Sequence, residues 1–200
     1  MAKGKNLKGK VRKMSIFAVI DTETNFRNEV ISIGTVIADG KKIIGKRYYI
    51  LTPYKNYLGM YSGALYAVLP DRECSREDAL DEMKRFLSDY SVKSIFAYNA
   101  SFDYGMLPEF RSYEWYDIMR IAAYRQFNKK IPDNAELFST GRLKKGCGVE
   151  NIYRMLSGNP EYRETHNALL DAEDEFEIMR MLGCPLEEYS VARIRSTIKM

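Results

Sequence analysis

Hydrophobic and polar positions change period several times along the chain, and each change predicts an element. Ile16-Phe17-Ala18-Val19-Ile20 is apolar without alternation, as in a strand buried on both faces, and it is stopped by Asp21. Residues 29–38 and 42–51 are β-rich and flank Asp39-Gly40, which predicts a hairpin closed by a two-residue turn. Residues 52–70 contain Pro53, Gly59 and Gly63 among several tyrosines, and read as a long irregular connection. Ser75 then opens a helix with Asp78 at its third position and Leu80, Met83, Phe86 and Leu87 along one face. Ser94 to Tyr98 is another short strand. Helical patterns follow around 103–111, 117–127, 149–156, 166–182 and 186–198, with Thr165 as the cap of the fourth and His166 in its first turn. The order β-β-β-α-β-α, then mostly helix, predicts an α/β fold on a mixed sheet. Its first three strands meander and the later ones are reached by helical crossovers.

Composition narrows the class. Two hundred residues at 46% hydrophobic and 29% charged suit one globular domain with a proper core. The net charge of +4 comes from one place. Residues 1–13 hold six of the 31 Lys and Arg and no acid, so residues 14–200 carry 25 bases against 27 acids. Two parts are therefore expected: a basic, disordered tail over 1–13 and a single domain over 14–200. The tail either adds affinity for a polyanion or only solubilises. Cys74, Cys147 and Cys184 are an odd, widely spaced set, and no apolar run is long enough for a signal peptide or a membrane span. A cytoplasmic protein with reduced thiols and no membrane partner is expected.

Three places carry chemistry. Asp21-Thr22-Glu23-Thr24 puts two carboxylates at i and i+2, on one face of a strand end. Repelling acids in that position suit a divalent cation held by hard oxygen ligands, Mg²⁺ or Mn²⁺, or else a solvated loop. Asn99 and Asp103 follow the strand at 94–98, where turn and cap chemistry is an equally simple reading. Finally, Thr165-His166-Asn167-Ala168-Leu169-Leu170-Asp171 places the chain's one histidine ahead of an acid in an otherwise apolar helical segment. Asp174 and Glu175, at i+3 and i+4 from Asp171, read as helix surface. Gly141 to Gly146 has P-loop glycine spacing but Cys147 stands where Lys is required, and one His with three scattered Cys makes no structural zinc site.

Taken in order, D-T-E-T after an apolar strand, N-A-S-F-D after another, and H-N-A-L-L-D-A opening a late helix resemble the DnaQ-like DEDDh 3′→5′ exonucleases. The resemblance runs from residue 16 to about 182 and implies an RNase H-like fold with a five-stranded mixed sheet. Asp117, in Tyr116-Asp117-Ile118-Met119, matches the family's additional acid at a helix start. Carried over by position, Asp21, Glu23, Asp103 and Asp171 match the four acids and His166 the histidine. The resemblance implies two Mg²⁺ or Mn²⁺ ions. Asp21 would bridge them, Glu23 and Asp171 would hold the ion on the nucleophile side, and Asp103 would act directly or through water. His166 would take the proton from the attacking water. The implied substrate is the 3′ end of single-stranded DNA in proofreading or repair, with a DNA polymerase as partner and nucleoside 5′-monophosphates as products. RNA 3′-end trimming and a non-catalytic nucleic-acid adaptor are the alternatives.

The terminal nucleotide would be held by backbone around Thr22, Thr24 and Asn25 and by Asn99. Phe26 and Phe102 would serve as stacking rings or as core residues. Lys144 and Lys145, in a stretch that also holds Arg120, Arg125, Lys129, Lys130 and Arg142, would track phosphates or form a solvated face. Two positions depart from the family pattern. Tyr98 stands where a His is common, and Ser32-Ile33-Gly34 lacks the usual acid.

Overall fold

The computed structural model describes residues 16–52, 59 and 61–194, so the expected tail over 1–13 lies outside the described residues. Phe17–Thr24 forms the first strand, β1. Val30–Ala38 (β2) pairs antiparallel with β1, and Ile43–Leu51 (β3) antiparallel with β2. The hairpin between β2 and β3 differs from expectation: four residues, Asp39 to Lys42, make the connection. The Asp39 carboxylate accepts from the amides of Lys41 and Lys42 at 3.1 and 3.2 Å, and Gly40 takes a left-handed φ of 88°. An aspartate that binds amides two and three residues on lengthens the turn past the two-residue type.

Three more strands complete the sheet, all parallel to a neighbour: Arg72–Cys74 (β4) beside β3, Ser94–Ala97 (β5) beside β1, and Glu114–Asp117 (β6) beside β5. The order is β4-β3-β2-β1-β5-β6, a six-stranded mixed sheet rather than the five strands expected. β4 and β6 are edge strands of three and four residues, too short for a period of two to stand out in the sequence.

Side chains alternate across the sheet and divide the core. Ala18 and Ile20 of β1 with Ile33 and Ile37 of β2 face Arg76–Asp89 (α1), which buries Leu80, Met83, Phe86 and Leu87 as its pattern predicts. Ser75 caps α1, its hydroxyl oxygen accepting from the Asp78 amide at 3.1 Å. Phe17 and Val19 with Val36 and Ala38 face the other way, toward a cluster that includes Val149–Ser157 (α4) and Ala168–Leu182 (α5). Asp21 and Glu23 continue that second face, so β1 aims both acids to the side covered by α5.

Between these lie Ser101–Met106 (α2) and Met119–Ala122 (α3), each far shorter than the helices expected over 103–111 and 117–127. Pro108 follows α2 and starts a separate 3-10 turn. After α3, the buried Asn128 side chain donates to the Ala122 carbonyl at 2.8 Å, closing off the helix end. The helix expected over 186–198 is a 3-10 segment, Leu186–Ala192, and residues 195–198 lie outside the described residues.

One glycine decides how α5 sits. Gly34 is the cross-strand partner of Asp21, and a Cβ built there would lie 2.0 Å from the Ala168 carbonyl oxygen. The missing side chain lets the first turn of α5 rest on β2 directly beside Asp21. Asn167, not Thr165, caps that turn: its side-chain oxygen accepts from the Leu170 amide at 3.3 Å, while Thr165 is exposed.

Candidate metal centre

Three chain segments deliver the acids. β1 supplies Asp21 and Glu23 at its end, α2 supplies Asp103, and the first turn and a half of α5 supplies Asp171. Asp103 and Asp171 are each 2% exposed. Glu23, His166 and Asp171 come closest together: one ligand atom from each lies within 4.8 Å of the other two. Thr22, on the opposite face of β1, is buried and its hydroxyl donates to Asp103 Oδ1 at 2.7 Å, which fixes that carboxylate against the strand end.

Crowding shows in the acids' proton affinities. Burial, reinforced by Asp103, Glu175, Glu23 and Asp171, holds the Asp21 carboxyl well above the usual range. Burial lifts Glu23 and Asp103 to about 7, against a hydrogen bond from Asp171 in the first case and from Thr22 in the second. Asp171 is pushed up to about 9 by burial, with Glu164 and Glu23 adding to it. Among the described residues no Lys or Arg forms an ion pair with any of these acids. Asp21 Oδ2 and Asp171 Oδ1 are sealed from solvent without a hydrogen-bond partner.

Buried anionic oxygens without partners are costly, and a cation or a proton removes the cost. The donor set is carboxylate oxygen with one imidazole, which fits Mg²⁺ or Mn²⁺ and lacks the thiolates of a structural zinc site.

His166 does not sit in the first turn of α5, as the sequence suggested. It precedes the cap, in a left-handed backbone conformation with φ 58°. A non-glycine residue there is strained and must be held by its surroundings. Tyr61 supplies part of the hold: its ring stacks on the imidazole with centroids 3.4 Å apart and planes 13° from parallel. Burial lowers the His166 pKa, partly offset by Glu150, so the ring is neutral near pH 7 and able to accept a proton.

The residue following it is a hub. Asn167 is fully buried, and its amide donates to Tyr48 Oη at 3.0 Å and to the carbonyls of Ala64 and Leu65 at 2.9 and 3.2 Å. Those bonds tie the start of α5 to the 3-10 turn Ser62–Ala64, and so bring Tyr61 against His166.

The residues expected to hold a substrate are placed unevenly. Phe26 (71% exposed) and Phe102 (39% exposed) lie on the surface, so neither is a core residue. Thr24 is half-buried. Asn25 is buried and occupied with its own loop: its side-chain oxygen accepts from the Arg27 and Glu29 amides, and its amide donates to Glu29. Asn99 lies at φ 56° just past β5 and lines a cavity of about 520 Å³ with Ser101, Asp117, Arg120, Tyr124 and Arg142.

Asp117 ends β6, and its Oδ1 accepts from the amides of Asn99 and Met119 at 3.0 Å each, holding the two parallel strand ends together. Lys144 and Lys145 are exposed. Arg125 is spent on the Pro132 carbonyl, Lys129 on the Gln126 carbonyl, and Arg120 pairs with Asp117 at 3.5 Å. Tyr98, in the place of the family's common His, donates its hydroxyl to the Cys147 carbonyl.

Two surface assignments from the sequence are corrected. Asp174 is half-buried and accepts from Tyr162 Oη at 2.6 Å. Glu175 is only 2% exposed and presses on the acid cluster. The signal was present: Ala168, Asp171, Ala172, Glu175 and Phe176 recur at helical spacing and are all buried, so Glu175 lies on the core stripe of α5.

No protein-family model matches the chain, and no curated protein matches it. Among the described residues, no helix is long and apolar enough to cross a membrane.

Proposed function

We propose that the chain is a metal-dependent 3′→5′ exonuclease of the DnaQ-like DEDDh kind, built on an RNase H-like fold and acting on single-stranded nucleic acid. The observation that carries this reading is the grouping of Glu23, His166 and Asp171 within 4.8 Å, with Asp21 and Asp103 each raised by neighbouring acids of the set, no basic partner among the described residues, and sealed, unpartnered oxygens on Asp21 and Asp171. The four acids would hold two Mg²⁺ or Mn²⁺ ions. When bound, these ions supply charge neutralisation at the phosphodiester, activation of an attacking water and stabilisation of the leaving oxygen.

The chain's own side chains do the rest. Neutral His166, oriented by the Tyr61 ring, accepts the proton of the attacking water. Thr22 orients Asp103. The exposed rings of Phe26 and Phe102, next in sequence to the acid-bearing segments, offer stacking faces for terminal bases. Arg142, lining the cavity beyond β5 and β6, with exposed Lys144 and Lys145 close by in sequence, suits the phosphates of the strand leading away from the site. The product is a nucleoside 5′-monophosphate. DNA is the polymer proposed, and a DNA polymerase the partner.

The test uses 5′-labelled single-stranded DNA and RNA of one sequence with Mg²⁺ or Mn²⁺, comparing wild type with Asp21→Ala and His166→Ala. A ladder shortening from the 3′ end, absent in EDTA and in both variants, is expected, faster on DNA. Faster cleavage of RNA would move the assignment to 3′-end trimming. Strands bound but never shortened would make the protein an adaptor and overturn the proposal.

A further inference from the structure

Glu175 is a buried acid to which the proposed chemistry gives no task. It lies one helical turn beyond Asp171 on the same face of α5 and is 2% exposed. Its Oε2 is sealed from solvent and without a partner. Asp103 and Asp171 press on it, and its charge in turn presses on Asp21. A glutamate in such a place costs several kcal/mol unless a proton or a cation meets it, and an apolar side chain of the same length would avoid that cost.

Asp21 Oδ2, Asp171 Oδ1 and Glu175 Oε2 are each sealed without a partner, on residues whose charges act on one another. They come from a strand end and from two successive turns of one helix. No Lys or Arg among the described residues pairs with any of the three.

We infer that Glu175 is a fifth carboxylate of the cation site, its Oε2 supporting the ion beside Asp171 through one water. This rests on the exonuclease reading for the presence of the ions, and extends it by one residue.

The test needs no nucleic acid. Mn²⁺ is titrated into the full-length protein and free Mn²⁺ is read by its electron paramagnetic resonance signal, for wild type, Glu175→Gln and Glu175→Asp. Gln keeps the shape of the side chain while removing the charge; Asp keeps the charge but withdraws it by one methylene. Glu175→Gln is expected to weaken Mn²⁺ binding about 10- to 100-fold, and Glu175→Asp by less. Circular dichroism confirms that each variant is folded, and if Gln fails to fold, Asp alone decides. Variants that bind Mn²⁺ as wild type does would overturn the role of Glu175 and leave the exonuclease reading intact. A wild type that binds no Mn²⁺ would overturn both.

Discussion

The acid cluster makes a definite demand on stability. Glu23, Asp103 and Asp171 are carboxyls whose proton affinities are raised in the folded state, to about 7, 7 and 9, and Asp21 and Glu175 are raised with them. The folded protein without metal therefore holds more protons than the unfolded chain between about pH 4.5 and 8, and it must lose stability as pH rises through that window. For Glu23 alone, a rise from 4.5 to about 7 corresponds to roughly 3 kcal/mol by the top of the window at about 1.4 kcal/mol per unit. In a domain of this size that is a fall of about 6–12 °C in Tm. His166 acts in the opposite sense, because burial lowers its pKa, but it is one group against five.

Divalent cations reverse the loss: at about 100 times Kd a single site returns roughly 2.7 kcal/mol, and more is regained at pH 8 than at pH 5, where protons compete. The assay is thermal unfolding from pH 5 to 8.5, in EDTA and in Mn²⁺. A metal-free Tm that stays level or rises across that range, or a Tm at pH 8 indifferent to Mn²⁺, would refute the reasoning.

Other consequences are as specific. Gly34→Ala drives a methyl into the Ala168 carbonyl, so α5 must move off β2 and carry Asp171 with it; a loss of about 1–3 kcal/mol in denaturant unfolding and a larger proportional loss of Mn²⁺ affinity are expected, and normal affinity would refute the close approach as the site's positioning device. Asn167→Ala removes the cap of α5 and leaves Tyr48 Oη and two carbonyls with fewer partners; about 2–4 kcal/mol should be lost, where a surface residue would cost less than 1. Phe26→Ala and Phe102→Ala should each raise KM for a short oligonucleotide by about 5- to 100-fold with Tm unchanged, since each exposed ring offers about 1–3 kcal/mol of stacking. Charge reversal at Lys144 and Lys145 should flatten the dependence of KM on salt, and an unaltered slope would return them to a solvated face.

Much of the site was legible from the sequence because its residues lie at element ends, where pattern changes are sharp. The unbroken apolar run ending in Asp21 located β1 and the direction of its two acids, and the capping serine located α1 to the residue. What escaped depends on contacts between distant segments. β4 and β6 exist because β3 and β5 offer edges, which their own three and four residues could not announce. Asn167 outcompeted Thr165 as a cap because its amide also reaches Tyr48 and the carbonyls at 64 and 65, more than a hundred residues away for the carbonyls and 119 for the phenol. The stacking of Tyr61 on His166 has the same origin. Glu175 was misassigned for a different reason: a charged residue following two other acids invites a surface reading, although its spacing from Ala168, Asp171 and Ala172 already put it on the buried stripe.

The most direct single measurement follows a label on the terminal nucleotide at the 3′ end of single-stranded DNA, with Mn²⁺, in wild type and in Asp171→Asn. Release of that nucleotide as a free 5′-monophosphate before any internal cleavage, and its loss in the variant, is the expected result. Retention of the labelled end while the strand is cut internally, or equal release by Asp171→Asn, would contradict the assignment of these acids to 3′→5′ exonuclease chemistry.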